Sequence, residues 1–213
     1  MNTNSDIHPL TAFGKRSVDI IGSGLLLLLV APLFPLIALA IKLDSPGPVF
    51  FKQLRIGRAF PHRTEMFYMI KFRSMRQDAE KSSGAVWAQK NDPRITTLGK
   101  FLRKTRLDEL PQLINVLKGE MSIIGPRPER PGFYKKLETE IPFFAERTYG
   151  VTPGITGLAQ VYQGYDETIE DVRSKVGYDH RYALALSNPI DWISMDFSIA
   201  WRTVMVMVTG RGQ

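Results

Sequence analysis

A chain of 213 residues with a formal charge of +7 and no cysteine has no disulfide framework, no thiolate metal site and no cysteine nucleophile. Its three histidines (His8, His62 and His180) are scattered and offer no ligand spacing for zinc. The basic balance suits an anionic lipid surface or a polyanionic substrate, and nucleic acid is set aside because no helix-turn-helix, zinc finger or RNA-binding signature stands out.

Residues 1–13 read as a polar tail. The run from Ile20 to Ile41, IIGSGLLLLLVAPLFPLIALAI, carries no charge, and as a straight helix it would reach roughly 33 Å. Lys15 and Arg16 precede it and Lys42, Lys52, Arg55 and Arg58 follow it, so both flanks favour the cytoplasm. Pro32 and Pro35 each lack an amide donor and bend a helix. A re-entrant helical hairpin over 14–44, bent at Ala31, Pro32 and Pro35, satisfies both facts. A kinked single-pass helix and a buried core helix stay open as alternatives. A cleaved signal peptide fits less well, because the run is long and no A-x-A-like site closes it.

Asp44-Ser45-Pro46-Gly47-Pro48 is a stop and turn. Val49–Ile56 and Met66–Phe72 are β-branched and aromatic and predict a short β-hairpin, with Gly57 and Pro61 between them. Residues 78–84 are polar and predict a loop or short helix, and Asp92-Pro93-Arg94 a turn. Helical spacing marks Thr97–Thr105 and Leu107–Leu117, the latter closed by Lys118-Gly119. Ser122–Ile124 leads into a proline-rich loop, Gly125–Pro131. Phe133–Glu146 is helical around an interruption at Pro142. Val151–Val161 is a Gly/Pro turn and an extended piece. Glu167–Leu186 and Asp191–Val208 are further helices. The last carries Trp192, Phe197 and Trp201 and suits either a membrane interface or a core.

Four segments carry candidate chemistry. In Arg103–Leu113, Pro111 is tolerated only in a first helical turn, which puts Asp108 at the helix start. Free amides there are expected to lower its pKa and keep it ionised, as a nucleophile or magnesium ligand requires. The plain alternative is an N-cap. In Gly125–Pro131, prolines on both sides stiffen Arg127, which can then fork onto phosphate; a rigid connector is the alternative. In Lys71–Arg76, Lys71 and Arg73 share one strand face and suit a diphosphate or anionic lipid. Thr152–Gln160 has two glycines that permit close approach, but no Walker or dinucleotide spacing.

The ordered set resembles the bacterial sugar transferases, the monotopic polyprenyl-phosphate phosphoglycosyl transferases. It comprises the basic-flanked hairpin with Pro32, Ser45–Phe50, Lys71–Met75, Asp92–Arg94, Leu107–Gln112, Gly125–Pro128 and Pro153–Gly157. The length is similar to the family's minimal catalytic core, to which larger relatives add N-terminal membrane helices. The resemblance implies transfer of a sugar-1-phosphate from a UDP-sugar to polyprenyl phosphate, giving polyprenyl-diphosphate-sugar and UMP. The family's Asp-Glu pair falls on Asp108 and Glu109, so the resemblance implies that Asp108 would attack the β-phosphorus, forming a phosphosugar-aspartate intermediate, and that Glu109 would assist with Mg2+ or the acceptor's proton. Lys71, Arg73, Arg103, Arg127 and Arg130 are the expected phosphate contacts, and Asp108 and Glu109 the expected metal ligands. The expected site is the cytoplasmic face of a bacterial inner membrane, among its lipids. The oligomeric state is left open, a homodimer being one option. The chain departs from the family pattern at Ala31 (often serine), Leu158 (often tryptophan) and Tyr162-Gln163-Gly164-Tyr165 (often Asn-Gly-Arg), where Tyr165 or Arg173 is expected to compensate.

The expected fold is α+β. It has a tail (1–13), a re-entrant hairpin (14–44), a mainly helical cytoplasmic domain with a short β-hairpin (45–189), and an interfacial C-terminal helix and tail (190–213). A non-catalytic membrane-surface module and a hydrolase using the same carboxylate are the competing functions.

Overall fold

A computed structural model describes residues 7–60, 62–79, 92–163 and 168–209. The expectations for residues 1–6 of the tail, for Pro61, for 80–84 of the polar stretch and for Tyr165 lie outside these residues.

Helix α1 (Pro9–Val30) begins inside the stretch expected as tail, because Pro9 suits a first helical position and His8 Nδ1 accepts the Leu10 amide. Helix α2 (Leu33–Asp44) follows after a break at Ala31-Pro32. The two meet at a bend of 62°. This is an open elbow rather than a hairpin of two antiparallel arms. Pro32 ends the ladder, the Phe34 amide reuses the Ala31 carbonyl, and Pro35 falls in the first turn of α2, where no amide donor is needed. Among the described residues no single helix is long and apolar enough to cross a membrane; the bent pair is, by length and composition.

Strands β1 (Phe50–Phe60) and β2 (Arg63–Phe72) pair antiparallel, longer than the sequence suggested, because an irregularity between Ile56 and Ala59 absorbs Gly57 inside β1. Helix α3 (Thr97–Lys104) is capped by Thr96. The helix expected over Leu107–Leu117 is two pieces: a 3-10 turn, Leu107–Glu109, and helix α4 (Gln112–Lys118). Pro111 is the cap of α4 and Gly119, at φ 82, closes it.

Strand β3 (Ser122–Ile124), helix α5 (Pro131–Glu140) and a 3-10 turn (Glu146–Thr148) come next. Strand β4 (Gly154–Thr156) pairs parallel with β3. Helices α6 (Leu158–Tyr162), α7 (Ile169–Ala185) and α8 (Pro189–Thr209) complete the chain. Thr168 and Asp171 form a capping box at α7. The architecture is α+β, with two small two-stranded sheets among helices in the described residues.

Small apolar clusters hold these elements together. Ile37 and Ile41 of α2 pack with Phe72 and Leu102, and Tyr182, Trp192 and Ile199 pack with Ile124 and Val151. Polar anchors tie both arms of the elbow to the same body. On α1, Asp19 accepts from Ser122 Oγ and the Ile123 amide at 2.9 and 2.8 Å, and Arg16 donates to the Val116 and Leu117 carbonyls at the end of α4. Lys15 donates to the Ile124 carbonyl and pairs with Asp196.

Arg73 belongs to the other arm. Its guanidinium donates to the carbonyls of Ile41, Ser45 and Pro46, and so finishes the C-terminus of α2.

Candidate active site

Asn115 is fully buried on α4 and completes the open edge of β2. Its side chain accepts the Ile70 amide (3.0 Å) and donates to the Tyr68 carbonyl (2.9 Å). That lock brings Lys71, the next residue of β2, against the turn before α4. Lys71 Nζ stands 2.8 Å from Glu109 Oε1, with both side chains largely buried.

The adjacent carboxylates are thereby made unlike. Burial, together with the neighbouring Glu109 charge, pushes Asp108 up to about 6 against the pull of Lys71, Arg103 and Arg106. Burial also acts to raise Glu109, but Lys71 and Arg127 overcome it and hold that carboxyl down at about 2. The expected lowering of Asp108 is corrected. Leu107–Glu109 is a short 3-10 turn with α4 starting only at Gln112, so desolvation rather than helix amides governs the group.

Asp108 Oδ1 and Arg103 Nη1 are both buried, and neither has a hydrogen-bond partner among the described residues. Such orphaned atoms of opposite charge suit a polar ligand or cation. The described residues contain no group of three or more metal-ligating side chains. Magnesium does not require one, since it is commonly held by one or two carboxylates with substrate phosphates and water.

The loop carrying Arg127 is clamped along its backbone. The Ile124 carbonyl takes Lys15 Nζ and Tyr182 Oη; that of Pro126 takes the Gly154 amide; that of Arg127 takes Arg147. The carbonyls of Pro128 and Glu129 take Arg55 and the Ile56 amide. Behind it lies a buried ion pair, Arg147–Asp179. The glycines of Thr152–Gln160 pack backbone to backbone on this loop. A Cβ on Gly154 would strike the Gly125 amide, and one on Gly157 the Gly125 carbonyl. That segment buttresses Arg127 through close backbone packing.

A groove of about 490 Å³ opens between α1, α8 and the body. Leu26, Val30, Val204 and Met207 line it from the two long helices, and Arg106, Glu109, Arg127 and Lys175 supply its charged wall. Of the residues singled out from sequence, Glu109 and Arg127 line this groove, Lys71 holds Glu109, and Asp108 and Arg103 adjoin them. Arg130 stacks on Phe133, 5.5 Å from the ring centroid, away from the groove wall. Arg73 is not at this cluster but at the end of α2, as described. Arg173 donates to the Glu140 carbonyl, pairs with Glu170 and does not line the groove. Lys175, Gln160, Arg55 and Arg147 were missed. Nothing local in the sequence sets them apart from the polar residues around them, and the partners of Arg55 and Arg147 are distant in sequence.

A protein-family model described as "Bacterial sugar transferase" matches residues 10–210. The chain is 44% identical over 204 residues, 96% of its length, to a UDP-N-acetylgalactosamine-undecaprenyl-phosphate N-acetylgalactosaminephosphotransferase of Aeromonas hydrophila, of which it spans 46%. It is 41% identical over 197 residues to a UDP-glucose:undecaprenyl-phosphate glucose-1-phosphate transferase of Caulobacter vibrioides, covering 92% of this chain and 70% of that protein. It is 42% identical over 207 residues to the exopolysaccharide production protein PSS of Rhizobium leguminosarum bv. phaseoli, covering 97% of it.

Proposed function

The chain belongs to the bacterial sugar transferase family, and from that premise we propose that it is a phosphoglycosyl transferase moving a sugar-1-phosphate from a UDP-sugar to undecaprenyl phosphate. The observation that carries this reading is the groove, apolar where α1 and α8 line it and charged at Arg106, Glu109 and Arg127. An isoprenoid phosphate has the same division, and a water-soluble acceptor would not call for the apolar walls. The Aeromonas and Caulobacter relatives are named for different sugars, so the donor's sugar is a question for assay.

Asp108 is the nucleophile. A carboxylate held near 6 is ionised at neutral pH yet more basic than an ordinary aspartate. One of its oxygens bonds to the β-phosphorus of the UDP-sugar, the bond from that phosphorus to the bridging oxygen breaks, and UMP leaves with the electron pair. An oxygen of the acceptor phosphate then attacks the same phosphorus and releases the Asp108 carboxylate. Glu109, fixed by Lys71, is too weak a base to take up a proton at neutral pH and serves as a permanent anion. Arg103 and Arg127 face the charge that develops on phosphate oxygens. Asp108 and Glu109 would hold Mg2+, which neutralises diphosphate charge when bound; the orphaned Asp108 Oδ1 supports that fit.

The elbow is re-entrant, dipping into the cytoplasmic face of the bacterial inner membrane. Anchors at Lys15, Arg16 and Asp19 on one arm and Ile41 on the other fasten both to one body, so that body and both flanks lie on one side. Between them Leu25, Leu28, Leu29 and Leu36 are exposed, as an embedded tip requires.

Screening UDP-sugars with undecaprenyl phosphate and Mg2+, read as UMP release, tests the reaction. One donor is expected to give acceptor-dependent UMP. Asp108→Asn is expected to lose on the order of 10³-fold or more, and a sugar-phosphate adduct on Asp108 to be trapped in the wild type. Full turnover by Asp108→Asn would refute the nucleophile.

A further inference from the structure

Among the described residues, only Arg106 and Phe143 carry a side chain at positive φ; Arg106 has φ 60 and ψ 12. An L side chain is strained in that region, whereas glycine enters it without a clash. Such strain persists where surrounding structure or function over-determines it. Arg106 follows α3 and immediately precedes the turn bearing the two carboxylates.

Its side chain lines the groove shared with Leu26 and Val30 of the elbow. The other two cations of that wall are differently placed. Arg127 and Lys175, with Gln160, line both the groove and a cleft of about 20 Å³ behind it, beside the Arg147–Asp179 pair. They mark where groove meets interior, while Arg106 lines the groove and not that cleft. Its charge also acts on both Asp108 and Glu109, so it lies near the reacting centre.

A guanidinium presents paired donors in a planar fork that matches two oxygens of a phosphate monoester, and it keeps its charge at every physiological pH. A monoester carries about −1.5 to −2 charge at neutral pH and three free oxygens. The diester headgroup of an ordinary phospholipid has fewer of both.

We propose that Arg106 is the specificity residue for the acceptor: lining the groove beside the elbow and next to the carboxylate pair, it recognises the terminal phosphate of the isoprenoid and so separates the phosphorylated lipid from the free alcohol. This rests on the acceptor reading above. The strained backbone persists because the side chain is needed at this point of the wall.

The test measures equilibrium binding to the full chain in phosphatidylcholine nanodiscs, using undecaprenyl phosphate, undecaprenol and UDP as probes, with Tm recorded beside each. Arg106→Gly is expected to weaken undecaprenyl phosphate at least about 10-fold and to change undecaprenol and UDP by less than about 2-fold. It is also expected to leave Tm equal or higher, because glycine relieves the backbone. Arg106→Lys is expected to restore part of the loss. Unchanged affinity for undecaprenyl phosphate, an equal loss for UDP, or a fall in Tm accompanying the loss would each overturn the proposal. So would a difference that vanishes in phosphatidylglycerol nanodiscs, which would reassign Arg106 to bulk headgroups. The two readings fail separately. Tight, Arg106-dependent binding with no UMP release from any donor sinks the reaction and keeps the recognition. UMP release with indifferent Arg106→Gly binding does the reverse. A wild-type chain that does not bind undecaprenyl phosphate sinks both.

Discussion

At the scale of the residue, the informative contrast is between neighbours. Asp108 and Glu109 are adjacent, yet one is pushed up and the other held down, because Lys71 reaches only Glu109 as an ion pair. The sequence made the pair conspicuous and put an arginine-rich stretch before it. It gave Asp108 the wrong direction of shift, since burial depends on β2 and α4 meeting through Asn115, a contact with no local signature. Arg73 shows the same limit: its alternation with Lys71 was legible, but the peptide carbonyls awaiting it at the end of α2 were not. A consequence for stability follows from the sign. A carboxyl raised in the folded state opposes folding where the unfolded group is ionised. The opposition is absent below about pH 4, grows between pH 4 and 6, and is complete above. In magnesium-free buffer, Asp108→Asn is therefore expected to raise Tm by a few degrees at pH 7.5, with the gain shrinking as pH falls toward 4. A lower Tm at pH 7.5 would contradict the assignment.

At the scale of the element, the proline-rich loop behaves as a fixed mount. Its stiffness was legible in the prolines, but its clamps were not, because Arg55, Arg147, Tyr182 and the β4 backbone come from four separate stretches of chain. The glycines after Pro153 looked like a weak turn motif; their role emerges only in parallel register with β3, where Gly125 and Gly154 leave no space for a Cβ. Arg147 is the clamp most open to test. It joins buried Asp179 to the Arg127 carbonyl and lies over the Phe144 ring, 4.6 Å from its centroid. Arg147→Ala would strand a buried carboxylate, and a loss of about 3–5 kcal/mol is expected in urea unfolding. A loss under about 1 kcal/mol would mean that the pair is solvated and the mount looser than described.

At the scale of the whole molecule, the exposed apolar surface is concentrated on α1, α2 and α8. Beyond the elbow's leucines, Ile193, Phe197, Trp201, Val204 and Val208 lie exposed along α8 while Trp192 and Ile199 are buried, so α8 packs with one side and leaves an apolar side exposed. The sequence showed the apolar run and its breaking prolines; it did not show the partners that hold the two arms at 62°, Ser122 and Ile123 for Asp19 and Phe72, Leu102 and Arg73 for Ile41. Because the chain has no cysteine, single cysteines are clean reporters of sidedness. Cysteines replacing exposed Phe13 and Leu43 are both expected to react with an impermeant maleimide in inverted vesicles and not in intact cells. One in place of Leu29 is expected to be shielded. Labelling of positions 13 and 43 from opposite faces would abolish the re-entrant topology.

The Ile124 carbonyl is held by Lys15 from α1 and by Tyr182, which shares Asp196 with Lys15 and Trp192. One peptide oxygen thus records whether α1, α7 and α8 are seated together. Shortening the Lys15 side chain would therefore take a brace from the root of the arginine loop, more than a hundred residues away along the chain.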